Sequence, residues 1–422
     1  MRTPSLGAIV LAVAICFCPS LAAADSENDD PGEKDAGPSL ASALGDGAAS
    51  VTFRYRYEFV ADEAFALDAH ASTLRTTLGY ETAPYRGFSM LLEAENVRPV
   101  GNDLYDNLGA AHRRNERFER PVVADPGLTQ VNQAALRFAV NEGTVVTLGR
   151  QEILLDDQRF VGAVGWRQNH QSFDAARIVT DALPRGRFNY ALVRNAHRIT
   201  GAVDPLTGHL LHASFGTRDT GVLRTRDTGA LVLYAHALDY ERDRRRSTAT
   251  VGAEVTGRHS VTETGFLVYE VEAARQADAF DNPMPVDAGY VHVAAGGGYR
   301  GVTVRAGWER LGGSPARGQF NTPLATLHPF NGWADKFLAT PADGLDDRYV
   351  RVIGDSDRIR WTLAYHAFRA ATGAARHGRE LDLEFVYRTP WRQQIAITAA
   401  RYDAESHSTD TTKVMVWTTF GF

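Results

Sequence analysis

Val414-Met-Val-Trp-Thr-Thr-Phe-Gly-Phe422 closes the chain, with apolar or aromatic residues at 414, 416, 420 and 422, and it stops on an aromatic residue. Period-two spacing puts alternate side chains on opposite faces of a strand. The same period opens the patterned region. In Val51-Thr-Phe-Arg-Tyr-Arg-Tyr-Glu-Phe59, the aromatic Phe53, Tyr55, Tyr57 and Phe59 alternate with Arg54, Arg56 and Glu58. The pattern recurs between these ends. Val302, Val304, Ala306 and Trp308 alternate with Thr303, Arg305 and Glu309, and Leu381, Leu383, Phe385 and Tyr387 with Glu380, Asp382 and Glu384.

Alternation alone suits two folds. A soluble sandwich turns its apolar face inward, whereas a membrane barrel turns it to lipid and lines an aqueous lumen with the charged face. Connection lengths separate them. Short turns are expected around Asn141-Glu142-Gly143, Thr256-Gly257-Arg258, Arg300-Gly301, Asp355-Ser356-Asp357 and Thr389-Pro390-Trp391. Long connections are expected over 98–128, 152–171, 195–211 and 312–346, and the two kinds alternate along the chain. Short periplasmic turns and long extracellular loops produce that alternation.

The sequence therefore predicts an all-β chain, a transmembrane antiparallel β-barrel of about 18 strands over 51–422. The segment His212–Thr217 is its weakest strand. Tyr80, Tyr85, Tyr190, Tyr240, Tyr299 and Trp391 stand at strand ends, as an interfacial girdle requires. Barrel assembly machinery recognises a final strand of this kind, so Phe422 is its expected contact, and outer-membrane lipid is the expected surrounding partner.

The amino terminus reads as an address. Arg2 precedes an apolar run from Leu6 to Phe17, and Ala22-Ala23-Ala24 offers a signal-peptidase site, so 1–24 is expected to be a cleaved signal peptide. A membrane anchor is the alternative, but the run falls short of the roughly 20 residues that span a bilayer, and Pro19 interrupts its end. Both cysteines, Cys16 and Cys18, lie inside it. The mature chain then needs no disulfide chemistry. Residues 25–50, acidic and rich in Gly, Pro, Ser and Ala, read as a flexible lead-in.

A formal net charge of -6 argues against nucleic acid as a partner. Of 45 Lys+Arg residues, only Lys34, Lys336 and Lys413 are lysine. Codon bias in a GC-rich genome is one explanation. The other is that guanidinium forks hold carboxylates in a bidentate way that ammonium groups do not. Parity places Arg54, Arg56, Arg75, Arg137, Arg177, Arg305, Arg360 and Arg388 in the lumen, together with Glu58, Glu93, Glu95, Glu309, Glu380, Asp382 and Glu384. Such a lumen is mixed in sign.

No nucleophile elbow, Cys-x-x-Cys pair, His-Glu-x-x-His helix or phosphate loop stands out, and the 13 histidines show no ligand spacing. The reading is therefore a channel without enzyme activity, metal or cofactor. The most distinctive stretch is Gly149-Arg-Gln-Glu152, followed by Asp157-Gln-Arg-Phe-Val-Gly162, Gly165-Trp-Arg-Gln-Asn169 and Ser172-Phe-Asp-Ala175. It resembles the alginate-export family of outer-membrane proteins.

That resemblance implies an eighteen-stranded barrel passing an anionic polysaccharide, or a smaller anionic solute such as an organic acid, through an arginine-lined pore. It gives Arg150, Arg159 and Arg167 to carboxylate contact, with Asn169 on the path. Asp157 and Asp174 pair with these arginines and, with Gln151, brace the loop. Alternatively the whole motif is an internal salt-bridge network. Arg150 shares the parity of Val146 and Leu148, so a bulge or strand end must turn it inward. A small-solute uptake porin is the second functional reading. A barrel-borne enzyme or structural protein is the third.

Overall fold

The computed structural model describes residues 39–216 and 227–422. Eighteen long strands run through them: β1 (Ala48–Asp62), β2 (Ala69–Glu81), β3 (Phe88–Leu104), β4 (Leu128–Asn141), β5 (Thr144–Gln151) and β6 (Ser172–Leu183). Then come β7 (Gly186–His197), β8 (Val203–Gly216), β9 (Asp227–Tyr240), β10 (Thr248–Ser260), β11 (Gly265–Asp278) and β12 (Asp287–Tyr299). The last six are β13 (Val302–Leu311), β14 (Leu345–Asp355), β15 (Ile359–Arg369), β16 (Arg376–Arg388), β17 (Gln394–Ala404) and β18 (Thr411–Gly421). Each pairs antiparallel with its chain neighbours in one 18-stranded sheet.

The sheet closes where its ends meet. Phe53 stands opposite Phe420 and Arg56 opposite Trp417, and Val51 and Phe422 exchange backbone hydrogen bonds of 2.9 and 3.1 Å. Closure leaves no open edge, which a bilayer demands of strands. Alternation now has a direction. Leu381 and Leu383 are each 50% exposed on the outer face, whereas Glu380 and Asp382 are 1% and 0% exposed inside. Among the described residues no helix is long and apolar enough to cross a membrane.

Connection lengths follow the expected alternation, with turns at 142–143, 184–185 and 300–301 at one end and loops at 105–127, 152–171 and 312–344 at the other. By that asymmetry the short end is periplasmic. The core lies between the wall and loops folded inward: Ile153 and Leu324 pack with Phe173, Leu206 and Tyr240, and Phe320 and Phe337 with Tyr290, Phe368 and Tyr402.

Three expectations are corrected. The stretch 195–211 is no long loop, because β8 begins at Val203 and pairs with β7 across a bulge between Val193 and Asn195. Thr256-Gly257-Arg258 lies inside β10, and the turn falls at 261–264. Part of the expected flexible lead-in is ordered as the helix Leu40–Gly45, and β1 starts at Ala48. The expected signal peptide and residues 25–38 lie outside the described residues.

Candidate solute path

The loop 152–171 descends from β5 into the barrel and meets the loop 312–344 from β13. Val161 and Leu324 form a parallel bridge, Gly162 N donates to Leu324 O at 2.9 Å, and Thr326 N donates to Gln158 O at 3.0 Å. The rings of Trp166 and His328 stack with centroids 3.6 Å apart. Together the two loops make a constriction across the lumen.

Carboxylates of the wall and of the neighbouring loops fix its arginines. Arg159 Nε donates to Glu309 Oε1 at 2.6 Å and its Nη2 to Asn331 Oδ1 at 3.1 Å. Arg167 donates to Glu58 Oε2 and Asp335 Oδ2, each at 3.1 Å, with Asp125 Oδ2 3.8 Å away. Burial pulls the Arg167 guanidinium down, but the fields of Glu58, Asp125 and Asp335 outweigh it and hold its pKa above the ordinary arginine value. Burial would raise Asp335, yet His328 and Lys413 keep it well below the usual carboxylate range. Removing either partner from such a pair leaves an uncompensated buried charge.

The β1 and β2 arginines serve the same loop. Arg54 donates to Gly165 O at 2.9 Å, Arg56 to Trp166 O at 2.8 Å, and Arg75 to His170 Nε2 at 2.6 Å. Asn169 is fully buried and donates to Pro126 O at 3.0 Å. These positions were expected to meet solute. Their donors are directed into the chain itself, so the geometry is that of bracing.

Arg150 stays on the outer face and never enters the lumen. It pairs in register with Asp174, as Leu148 does with Ala176, and Nε donates to Asp174 Oδ1 at 2.9 Å. No bulge intervenes in β5. Gly149, at φ 116° and pressed on the Ala134 carbonyl, has no room for a side chain. Asp174 also accepts from Asn195 at 3.0 Å and meets His197 Nε2 at 2.8 Å, all on that outer face. It therefore does not hold the loop in the lumen. Asp157 accepts the Arg159 backbone N–H at 2.9 Å, which shapes a turn, and among the described residues it makes no ion pair. Gln151 does face inward, donating to Ala175 O at 3.2 Å.

Below the constriction the remaining arginines stay accessible. Arg177 holds one hydrogen bond among the described residues, from Nε to Asn189 Oδ1 at 3.0 Å. Arg360 lies 3.6 Å from Asp355 and is 43% exposed in its side chain. Arg137, Arg305 and Arg388 pair with Glu81, Glu270 and Asp355 at partly exposed sites. Arg351, which the sequence reading missed, joins them from β14, with one long contact to Pro329 O at 3.5 Å. Its parity is shared by Tyr349 and Ile353, so alternation gave no signal there.

Two spaces flank the constriction. Above it lies a vestibule of about 450 Å³, walled by Val60, Leu108, Val122 and Leu327 and floored by Trp166 and Arg167. Beneath it a cavity of about 510 Å³ is lined by Asp157, Glu270, Arg258 and Arg305, among others. The vestibule lining also includes Arg198, Lys336 and Lys413, and the guanidinium groups of Arg258 and Arg305 line the cavity beneath.

The closed eighteen-stranded antiparallel barrel, with its apolar exterior and charged interior, defines this chain as an outer-membrane porin fold. Among solved structures it is similar to OccK9 (OpdG) of Pseudomonas aeruginosa, at 13% identity and TM-score 0.69, covering 90% of this chain and 99% of that one. Pseudomonas aeruginosa OpdK, solved with vanillate, matches at 16% identity and TM-score 0.67 over 90% and 99%. OccAB2 of Acinetobacter baumannii matches at 13% and 0.68 over the same shares. No protein-family model and no curated protein matches the chain. The resemblance to the alginate-export family thus finds no support, and the solved structures cited are Opd and Occ proteins.

Proposed function

We propose that this barrel is an uptake channel for small anionic solutes, with organic acids the class that fits best. The carrying observation is the placement of Arg177, Arg351 and Arg360 on the lumen side beneath a two-loop constriction, with donors that have no partner among the described residues. A guanidinium with free N–H groups offers a carboxylate a bidentate contact. Weak, successive contacts allow release as well as entry.

The braced constriction disfavours a polymer. Arg159 and Arg167, expected to grip uronate groups, are 2% and 6% exposed and held by Glu309, Glu58 and Asp335. That the similar barrel OpdK was solved with vanillate, an aromatic carboxylate, agrees with the reading. Proteoliposomes carrying the purified barrel provide the test. Uptake of a small carboxylate should exceed that of a neutral solute of equal size, and alginate oligomers should be excluded. Equal rates for acid and neutral solute, or entry of the oligomers, would contradict it.

A further inference from the structure

The lumen does not account for all of the arginine in this chain. Arg310, Arg348, Arg369, Arg379 and Arg401 stand at the loop ends of β13 to β17. They share the strand parity of Val304, Val350, Leu363, Leu381 and Ile397, which are 40–50% exposed on the outer face, so they point away from the solute path. Register joins them into one arc. Arg310 lies opposite Asp346 and Asp346 opposite Arg369, and in the next row Arg348 leads through Ala367 to Arg379 and Asp403. Arg401 lies opposite Leu381, one row nearer the apolar band. Neighbouring strands run about 4.8 Å apart, so the arc is roughly 20 Å wide.

The other end of the same wall is different. The periplasmic halves of these five strands turn Val302, Val352, Ile359, Trp361, Tyr387 and Ile395 outward, and no outward position there is charged. Arginines that merely snorkelled to an interface would be expected at both ends. The partners of the arc hold it loosely. Arg348 Nε donates to Asp346 Oδ1 at 3.1 Å and Arg401 Nε to Asp403 Oδ1 at 3.0 Å, and Arg379 lies 3.8 Å from Asp403. Arg310 donates to Ala371 O at 2.6 Å, and among the described residues Arg369 has no acidic partner. The side chains of Arg348 and Arg379 are 59% and 61% exposed, where ion pairs contribute little and yield to a stronger acceptor.

We propose that this arc docks the phosphorylated disaccharide of lipopolysaccharide, with the acyl chains lying down the apolar band beneath. The outer leaflet of an outer membrane carries its phosphates just above the acyl chains, and the arc stands just above Val350, Leu381 and Ile397. Guanidinium forks take phosphate in bidentate geometry, and basic clusters at a lipid surface gather anionic headgroups. A second copy of the chain fits less well, because a two-fold interface centred here would set the arginines against themselves. The assignment rests on the barrel and its orientation and does not depend on which solute crosses it.

The test is native mass spectrometry of the refolded full-length barrel in neutral detergent, titrated with bisphosphorylated lipid A and with lipid A stripped of both phosphates. The phosphorylated lipid should bind more tightly. Arg348→Gln/Arg369→Gln/Arg379→Gln should weaken it roughly a hundredfold, at about fivefold per arginine. Arg348→Lys/Arg369→Lys/Arg379→Lys keeps the charge and loses the fork, so it should weaken binding less, and it still reads the bidentate contact if the glutamine variant does not fold. Equal affinity for the two lipids overturns the proposal. So does phosphorylated lipid A binding that both variants leave unchanged. A wild-type dimer that the glutamine variant dissolves, with lipid A binding unaltered, would give the arc to a second copy and overturn it equally.

Discussion

The indole of Trp166 lies flat against the imidazole of His328, centroids 3.6 Å apart and planes 8° from parallel. The pair joins two loops rooted on opposite stretches of the chain, and polar contacts surround it. Arg56 stands 4.4 Å from the same indole, His328 Nδ1 lies 2.7 Å from Asp335 Oδ1, and Asp335 is shared by Arg167 and Lys413. In the uptake channel proposed above, solute passes beside this junction, so its strength would set how far the constriction opens.

Loss of the stack should loosen the junction without unfolding the wall. Ring pairs contribute about 0.5–1.5 kcal/mol beyond their buried area. Trp166→Ala is therefore expected to raise single-channel conductance and add flicker, while the melting temperature moves by only a few degrees. Planar-bilayer recording checks the first and thermal unfolding the second. An unchanged conductance would mean that the stack does not limit the path.

Buried and outer-face ion pairs should behave differently. Arg159→Met leaves Glu309 buried without its cation, at a cost of about 3–5 kcal/mol. Adding Glu309→Gln should recover much of that loss. Arg150→Ala removes a pair whose side chains are 28% and 30% exposed, and it should cost no more than about 1 kcal/mol. It should leave conductance unaltered, because Arg150 faces away from the lumen. Denaturant titration of the three variants measures the contrast.

Acid should weaken the loop junction through His328. Burial holds its pKa down to about 4, against the opposing pull of Asp335, whereas an exposed histidine titrates near 6.5. Between those values the unfolded segment binds the proton and the folded one does not, so stability falls as pH falls. The contribution is complete above about pH 6.5 and is lost progressively toward pH 4. Hydrogen exchange of residues 324–336 should accelerate over that window, and His328→Gln should flatten the dependence. A profile that His328→Gln leaves as steep would rule His328 out as its source.

The wall was legible because alternation is a local property. Most strands, Phe53–Phe59 and Val414–Phe420 among them, carry their own record of two unlike faces, and the inward row of Arg54, Arg56 and Glu58 is where parity puts it. β8 was only partly legible, because Pro205 and Gly208 interrupt its first half. The site was harder. The Arg150–Asp174 motif is contiguous in sequence, yet the fold divides it, sending Arg159 and Arg167 into the lumen and keeping Arg150 and Asp174 outside. The partners that decide each role, Glu309 and Asp335, lie more than a hundred residues away, and one strand's pattern holds no trace of them.

Charge selection by the open lumen arginines is tested most directly by the reversal potential of single barrels under a potassium chloride gradient. The wild-type channel should favour chloride, and Arg177→Gln/Arg351→Gln/Arg360→Gln should shift the potential toward that of potassium. A wild-type pore that favours potassium, or a triple variant with unchanged selectivity, would contradict anion selection by these three arginines.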